Sequence, residues 1–121
     1  MYNLYILLLE LMNMNSKSST NLNEPSFYIL LALSKKPMSG YELTRNILNI
    51  TKGRLEVRTG TMYPTLKKLV DFKLIEQVDE SSQERNKKTY QLTEEGKKIL
   101  QHEVDMLKEK LEEVKLIMNE T

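Results

Sequence analysis

The residues of this chain best suited to chemistry lie in one short run, Gly60-Thr-Met-Tyr-Pro-Thr-Leu-Lys-Lys-Leu69. Read as a helix, the run turns Met62, Leu66, Leu69 and Val70 inward, at i, i+4, i+7 and i+8. Thr61, Tyr63, Pro64, Thr65, Lys67 and Lys68 are then left on the outer side. Hydroxyls there can bond phosphate or base edges, Pro64 and the threonine methyls can meet a thymine methyl, and the lysines can neutralise phosphates. Each has a plainer use: Thr61 as a helix cap, Tyr63 packed on a preceding helix, the lysines as solvated charge. Ser39, Gly40 and Tyr41 open another helix, whose free N–H groups suit a phosphate or need nothing beyond the Ser39 cap. Arg85, Lys87 and Lys88 flank a polar turn. Arginine at such a tip can enter a minor groove and the lysines can hold the flanking backbone, or the charges only protect a strand edge.

Other chemistries find few residues to work with. The chain has no cysteine and a single histidine, His102, so disulfides, thiolate sites and a usual zinc ligand set are excluded. His102 lies in a charged helical run with no nucleophile motif near it, and neither a phosphate loop nor paired catalytic carboxylates stand out. An enzyme is therefore not expected, nor a cofactor.

The net charge of +1 is uninformative, but its distribution is not. Lys35 to Lys73 holds nine Lys/Arg against three acids, whereas Glu94 to Thr121 holds five Lys against eight acids. A polyanion would dock on the middle of the chain and leave the tail for other work.

The elements that must position these residues follow from pattern. Glu24-Pro25 opens a first helix over 26–34, with Phe27, Leu30, Leu31 and Ser34 at helical spacing and Lys35, Lys36 and Pro37 closing it. Ser39-Gly-Tyr-Glu42 is a capping box ahead of Leu43, Ile47, Leu48 and Ile50, and Gly53 is a natural stop. Leu55-Glu-Val57 suits a small edge strand at most. Thr59-Gly-Thr61 caps the third helix, with Pro64 in its first turn. Leu74 to Val78 and Lys87 to Leu92 read as a hairpin around a charged tip, Tyr90 and Leu92 sharing a face. Thr93-Glu-Glu-Gly96 opens the last helix, where Leu100, Val104, Leu107, Leu111, Val114 and Met118 repeat at spacings of 4, 3, 4, 3 and 4, an a/d seam widened by Ile99 and Ile117. A dry stripe of that length exceeds what a small domain covers alone and asks for a second copy.

The expected fold is thus mainly α with a small β hairpin: a winged helix-turn-helix over 23–92 and a coiled-coil-like dimerisation helix over 93–121. Residues 1–22 read as an N-terminal extension or linker. The polar stretch from Met12 on is linker-like, and two readings fit what comes before it: residues ahead of a physiological start at Met12 or Met14, or a short extra helix that packs on the dimer. The apolar run at Tyr2–Leu11 is too short to span a bilayer and lacks a signal peptide's basic flank, so a cytoplasmic protein without membrane contact is expected.

At this point the residues resemble the PadR family of transcriptional regulators. The matching stretches are Ile29 to Leu33 with Pro37-Met-Ser-Gly-Tyr-Glu-Leu43, Gly60-Thr-Met-Tyr-Pro-Thr-Leu-Lys-Lys-Leu69, Leu74-Ile75 and Lys88-Thr-Tyr-Gln-Leu-Thr-Glu-Glu-Gly96. The resemblance implies a homodimeric repressor on double-stranded DNA, in some members released by a small hydrophobic or aromatic effector. It also marks departures: no glycine in the wing tip, and Lys73 where the family often has glycine, so that a lysine must take a left-handed conformation. A winged-helix module that binds protein instead of DNA is the competing class. It would more naturally show apolar or acidic outward faces than Thr-Tyr-Pro-Thr and a basic wing.

Overall fold

The computed structural model describes residues 22–78 and 88–119. In chain order these form α1 (Glu24–Leu33), β1 (Met38–Ser39), α2 (Gly40–Ile50), α3 (Thr59–Asp71), β2 (Ile75–Val78), β3 (Thr89–Leu92) and α4 (Glu94–Met118).

Local chemistry sets each boundary. Asn23 caps α1 by accepting the Ser26 N–H, with Pro25 in the first turn. The side of α1 that faces the core is Ser26, Ile29, Leu30, Ala32 and Leu33. This differs from the sequence expectation: Phe27 and Leu31 are only half-buried and Ser34 is exposed, because α1 meets α2, α3 and α4 along a broader arc than one stripe. The capping box is present as read. Ser39 Oγ accepts the Glu42 N–H at 3.2 Å, and Glu42 Oε1 accepts the Ser39 N–H at 3.0 Å.

α2 and α3 end in the same way. After α2 the N–H groups of Lys52 and Gly53 donate to Asn49 and Leu48; after α3 those of Lys73 and Leu74 donate to Val70 and Leu69. Both are Schellman motifs, and in both the left-handed residue is a lysine, Lys52 at φ 52° and Lys73 at φ 61°. The sequence anticipated the Lys73 conformation. It placed the α2 stop at Gly53, which is also left-handed but one residue late.

Met38 and Ser39 pair antiparallel with Tyr90 and Thr89, and β2 pairs with the other edge of β3, giving the order β1-β3-β2. The third strand was not legible in the sequence. The expected strand at Leu55–Val57 is irregular backbone instead, pinned where Thr44 donates to the Val57 carbonyl at 2.9 Å with Val57 itself buried.

α4 is fastened to the α3–β2 turn. Thr93 Oγ1 caps α4 at Gly96 N and donates to the Lys73 carbonyl at 2.7 Å, while Thr93 N donates to Leu74 O. Ile99 and Leu100 then join a core built from Ile29, Leu30, Leu43, Ile47, Met62, Leu66, Leu69, Leu74 and Ile75, among others. Ile99 is therefore a core residue, not a widening of the seam. Of the seam, Leu100 is buried and Val104 half-buried, whereas Leu107, Leu111, Val114 and Met118 are exposed in the single chain.

Candidate nucleic-acid interface

The inner side of α3, Met62, Leu66 and Leu69, is spent on the core. That orients everything else on the helix. Thr61, Tyr63, Pro64, Lys67 and Lys68 are exposed and Thr65 half-buried, so the structure puts all six outward, as read. Two details differ. The helix begins at Thr59 and its N-cap is Arg58, whose side chain makes no capping bond, so Thr61 is not the cap. Pro64 is the sixth residue of the helix, beyond the first turn, and it withholds a donor from the Gly60 carbonyl. Thr65 Oγ1 donates to Thr61 O at 2.7 Å, which leaves only its lone pairs for an external group.

Tyr63 joins two elements. Its phenol end lies on Gly40, the first residue of α2, bringing Ser39, Gly40, Tyr41 and Tyr63 to one place. The neighbouring Tyr90 on β3 holds its proton above the usual phenol range, first through burial and then through the nearby Tyr63 phenol. The Ser39 hydroxyl accepts its capping N–H and keeps its own O–H to donate, though Ser39 is buried, whereas Tyr41 is 68% exposed.

The cations divide by pairing. Lys67 makes a long i,i+4 contact with Asp71 at 3.4 Å, and both groups are exposed, so it is available at little cost. Lys68 and Lys88 are exposed. Arg85 and Lys87 lie outside the described residues. Sequence reasoning missed two arginines. Arg45 lies over the Tyr41 ring at 5.8 Å and was signalled by its i+4 spacing from Tyr41. Arg58 stands at the amino end of α3, its side chain 80% exposed and loosely held by Glu56 at 3.3 Å. Arg54, by contrast, is committed: Glu24 at 2.9 Å and Tyr28 at 3.0 Å hold its guanidinium charged more firmly than usual.

Three helices, a strand-edged wing and an outward-facing third helix of hydroxyls and lysines define a winged helix-turn-helix of the transcription-regulator class. The sequence profile of the Transcriptional regulator PadR-like family matches residues 29–102, and the chain belongs to that family. It is similar to the transcriptional regulator YqjI of Escherichia coli, 37% identical over 86 residues, which cover 69% of this chain and 40% of that protein. The chain thus aligns with less than half the length of that curated relative. Among solved structures it is similar to a PadR-like transcription factor from B. fragilis, at 31% identity and TM-score 0.64 over 76% of this chain and 87% of that one. A PadR family regulator from Clostridium difficile R20291 superposes at TM-score 0.60 with 28% identity, covering 80% and 96%. The family regulates transcription and is not a family of enzymes. No helix among the described residues is long and apolar enough to cross a membrane.

Proposed function

We propose that this PadR-family regulator is a cytoplasmic, sequence-specific repressor that binds a pseudo-palindromic operator as a homodimer. The observation that carries the reading is the outer side of α3. Thr61, Tyr63, Pro64, Lys67 and Lys68 do no core work, and they have the hydroxyls, apolar tips and cations that a major groove accepts. Ser39 and Tyr41 at the start of α2, and Arg85, Lys87 and Lys88 of the wing, supply contacts to the flanking backbone. Residues 23–92 are the DNA-binding unit and 93–121 the dimerisation helix, with 1–22 an extension to it.

The bare row Leu107, Leu111, Val114 and Met118, continuous with Leu100 and Val104, supports a second copy as the partner of α4. Two such protomers present their recognition helices about 34–36 Å apart, one turn of DNA. A groove of about 600 Å³ between α1, β3 and α4 suits a small hydrophobic or aromatic effector that shifts the dimer. Its floor includes Leu31, Leu92, Leu100 and Val104.

The deciding experiment is fluorescence anisotropy of the purified chain on the DNA upstream of its own gene, at two salt concentrations, against scrambled competitor. Tight, competitor-resistant and salt-sensitive binding with two protomers per site is expected. Weak binding that is equal on both DNAs overturns the operator reading and points to a protein partner for the winged domain.

A further inference from the structure

Three glycines of the described chain take ordinary backbone angles, so none of them is needed for its φ, and their surroundings differ sharply. A methyl on Gly60 would meet nothing within 4 Å. On Gly96 it would fall inside the Leu74 carbonyl. On Gly40 it would lie 3.0 Å from the Tyr63 hydroxyl oxygen and 3.1 and 3.2 Å from Cε1 and Cζ of that ring. Gly40 is buried and opens α2, a position where alanine is a better helix former than glycine. What the missing side chain provides there is room for the end of Tyr63.

We propose that Gly40 is a positioning residue for Tyr63: its bare Cα lets the phenol lie across the start of α2 and so sets where that hydroxyl stands on the DNA-facing surface. The inference rests on the DNA-binding reading of Tyr63. Two further observations support it. Tyr63 is 49% exposed, so its ring is only half covered, and Gly40 is the residue whose bare Cα lies against its hydroxyl end. The Tyr90 phenol, on the strand that pairs with Met38 and Ser39, is close enough to feel Tyr63. Gly40 is thus the point where the start of α2 meets the Tyr63 side chain of α3. Because the group in the way is the far end of a rotatable side chain and not backbone, a methyl at Gly40 displaces Tyr63 and leaves the helices in place.

The test is a double-mutant cycle of Gly40→Ala and Tyr63→Ala in the full chain, read by anisotropy on the upstream DNA and by thermal melting. Gly40→Ala is expected to melt no lower than the wild type, since a compatible Gly→Ala change stabilises. It should nonetheless bind DNA about tenfold more weakly, the equivalent of one hydrogen bond to a charged group. With Tyr63→Ala already present, Gly40→Ala should cost no further affinity. Wild-type affinity in Gly40→Ala overturns the inference, and so does an undiminished loss in the Tyr63→Ala background, which would mean that the glycine acts through its own backbone. Both of those outcomes leave DNA binding standing. Failure of the wild type itself to bind overturns the DNA reading and this inference together.

Discussion

The two halves of α4 are one continuous helix in opposite situations. From Glu94 to about Val104 the helix packs on the winged domain: Thr93 pins its start to the α3–β2 turn, Gly96 lies against the Leu74 backbone, and Ile99 and Leu100 complete the core. From Leu107 to Met118 the same apolar repeat continues uncovered by the other described residues, Leu107 at 47% exposure and Met118 at 72%. The proximal half therefore derives its stability from its own chain. The distal half finds no such cover among the described residues, and its burial is what the proposed second copy would supply. A periodic stripe specifies a face; whether that face becomes core or interface depends on how far the rest of the domain reaches.

The sharpest way to break the comparison is at Gly96. A side chain there cannot avoid the Leu74 carbonyl, so Gly96→Val should cost more than about 4 kcal/mol and abolish cooperative melting followed by circular dichroism. Substitutions beyond Val104 should do nothing of the kind. Next in size, charge reversal at Lys67 and Lys68 should abolish operator binding in anisotropy with the melting curve unchanged, because both side chains are exposed. Unchanged affinity would rule out docking through α3. Leu107→Lys with Leu111→Lys should yield monomers in sedimentation velocity while each protomer still melts as a folded domain. Operator affinity should then fall by on the order of a hundredfold as the linked second half-site is lost. A persistent dimer would move the interface away from distal α4. The smallest effect is expected at the end of α3. Lys73→Gly, at φ 61°, should raise stability by about 0.5–1 kcal/mol in urea denaturation, by relieving a left-handed lysine.

Tyr90 adds a pH test of the same half. Its folded pKa is raised, so its contribution is complete below the unfolded value of about 10 and declines as pH rises through the folded one. Tyr90→Phe should flatten that alkaline limb in melts across the range. An unaltered pH dependence would assign the limb to other groups.

Much of this protein was decided by short-range chemistry and is therefore readable in the chain. The Ser39–Glu42 box, Pro25 at the start of α1, the inner stripe of α3 and the acids opening α4 each depend on residues within a few positions of one another. So does the outward side of α3, because a helix with one committed face presents the other. The family motifs are such local patterns.

Most of what escaped the sequence depends on partners distant along it. Met38 and Ser39 become a strand only because β3 arrives beside them, and Leu55–Val57 does not, since its pinning contact is to Thr44 on α2. Glu103 occurs in a charged run that reads as solvated, yet it is buried, with Oε1 accepting the Leu22 N–H from 81 positions away. Arg45 and Arg58 are the exception, since their settings are local: Arg45 lies over Tyr41 four residues before it, and Arg58 adjoins the start of α3. Gly40 is the clearest case. Its place in the chain marks the start of a helix, and only the packing of α3 against α2 shows that the space left by its missing side chain is filled by Tyr63. Periodicity and capping are properties of neighbours along the chain, whereas burial, strand pairing and the seat of a side chain are set by whichever distant segment the fold brings alongside.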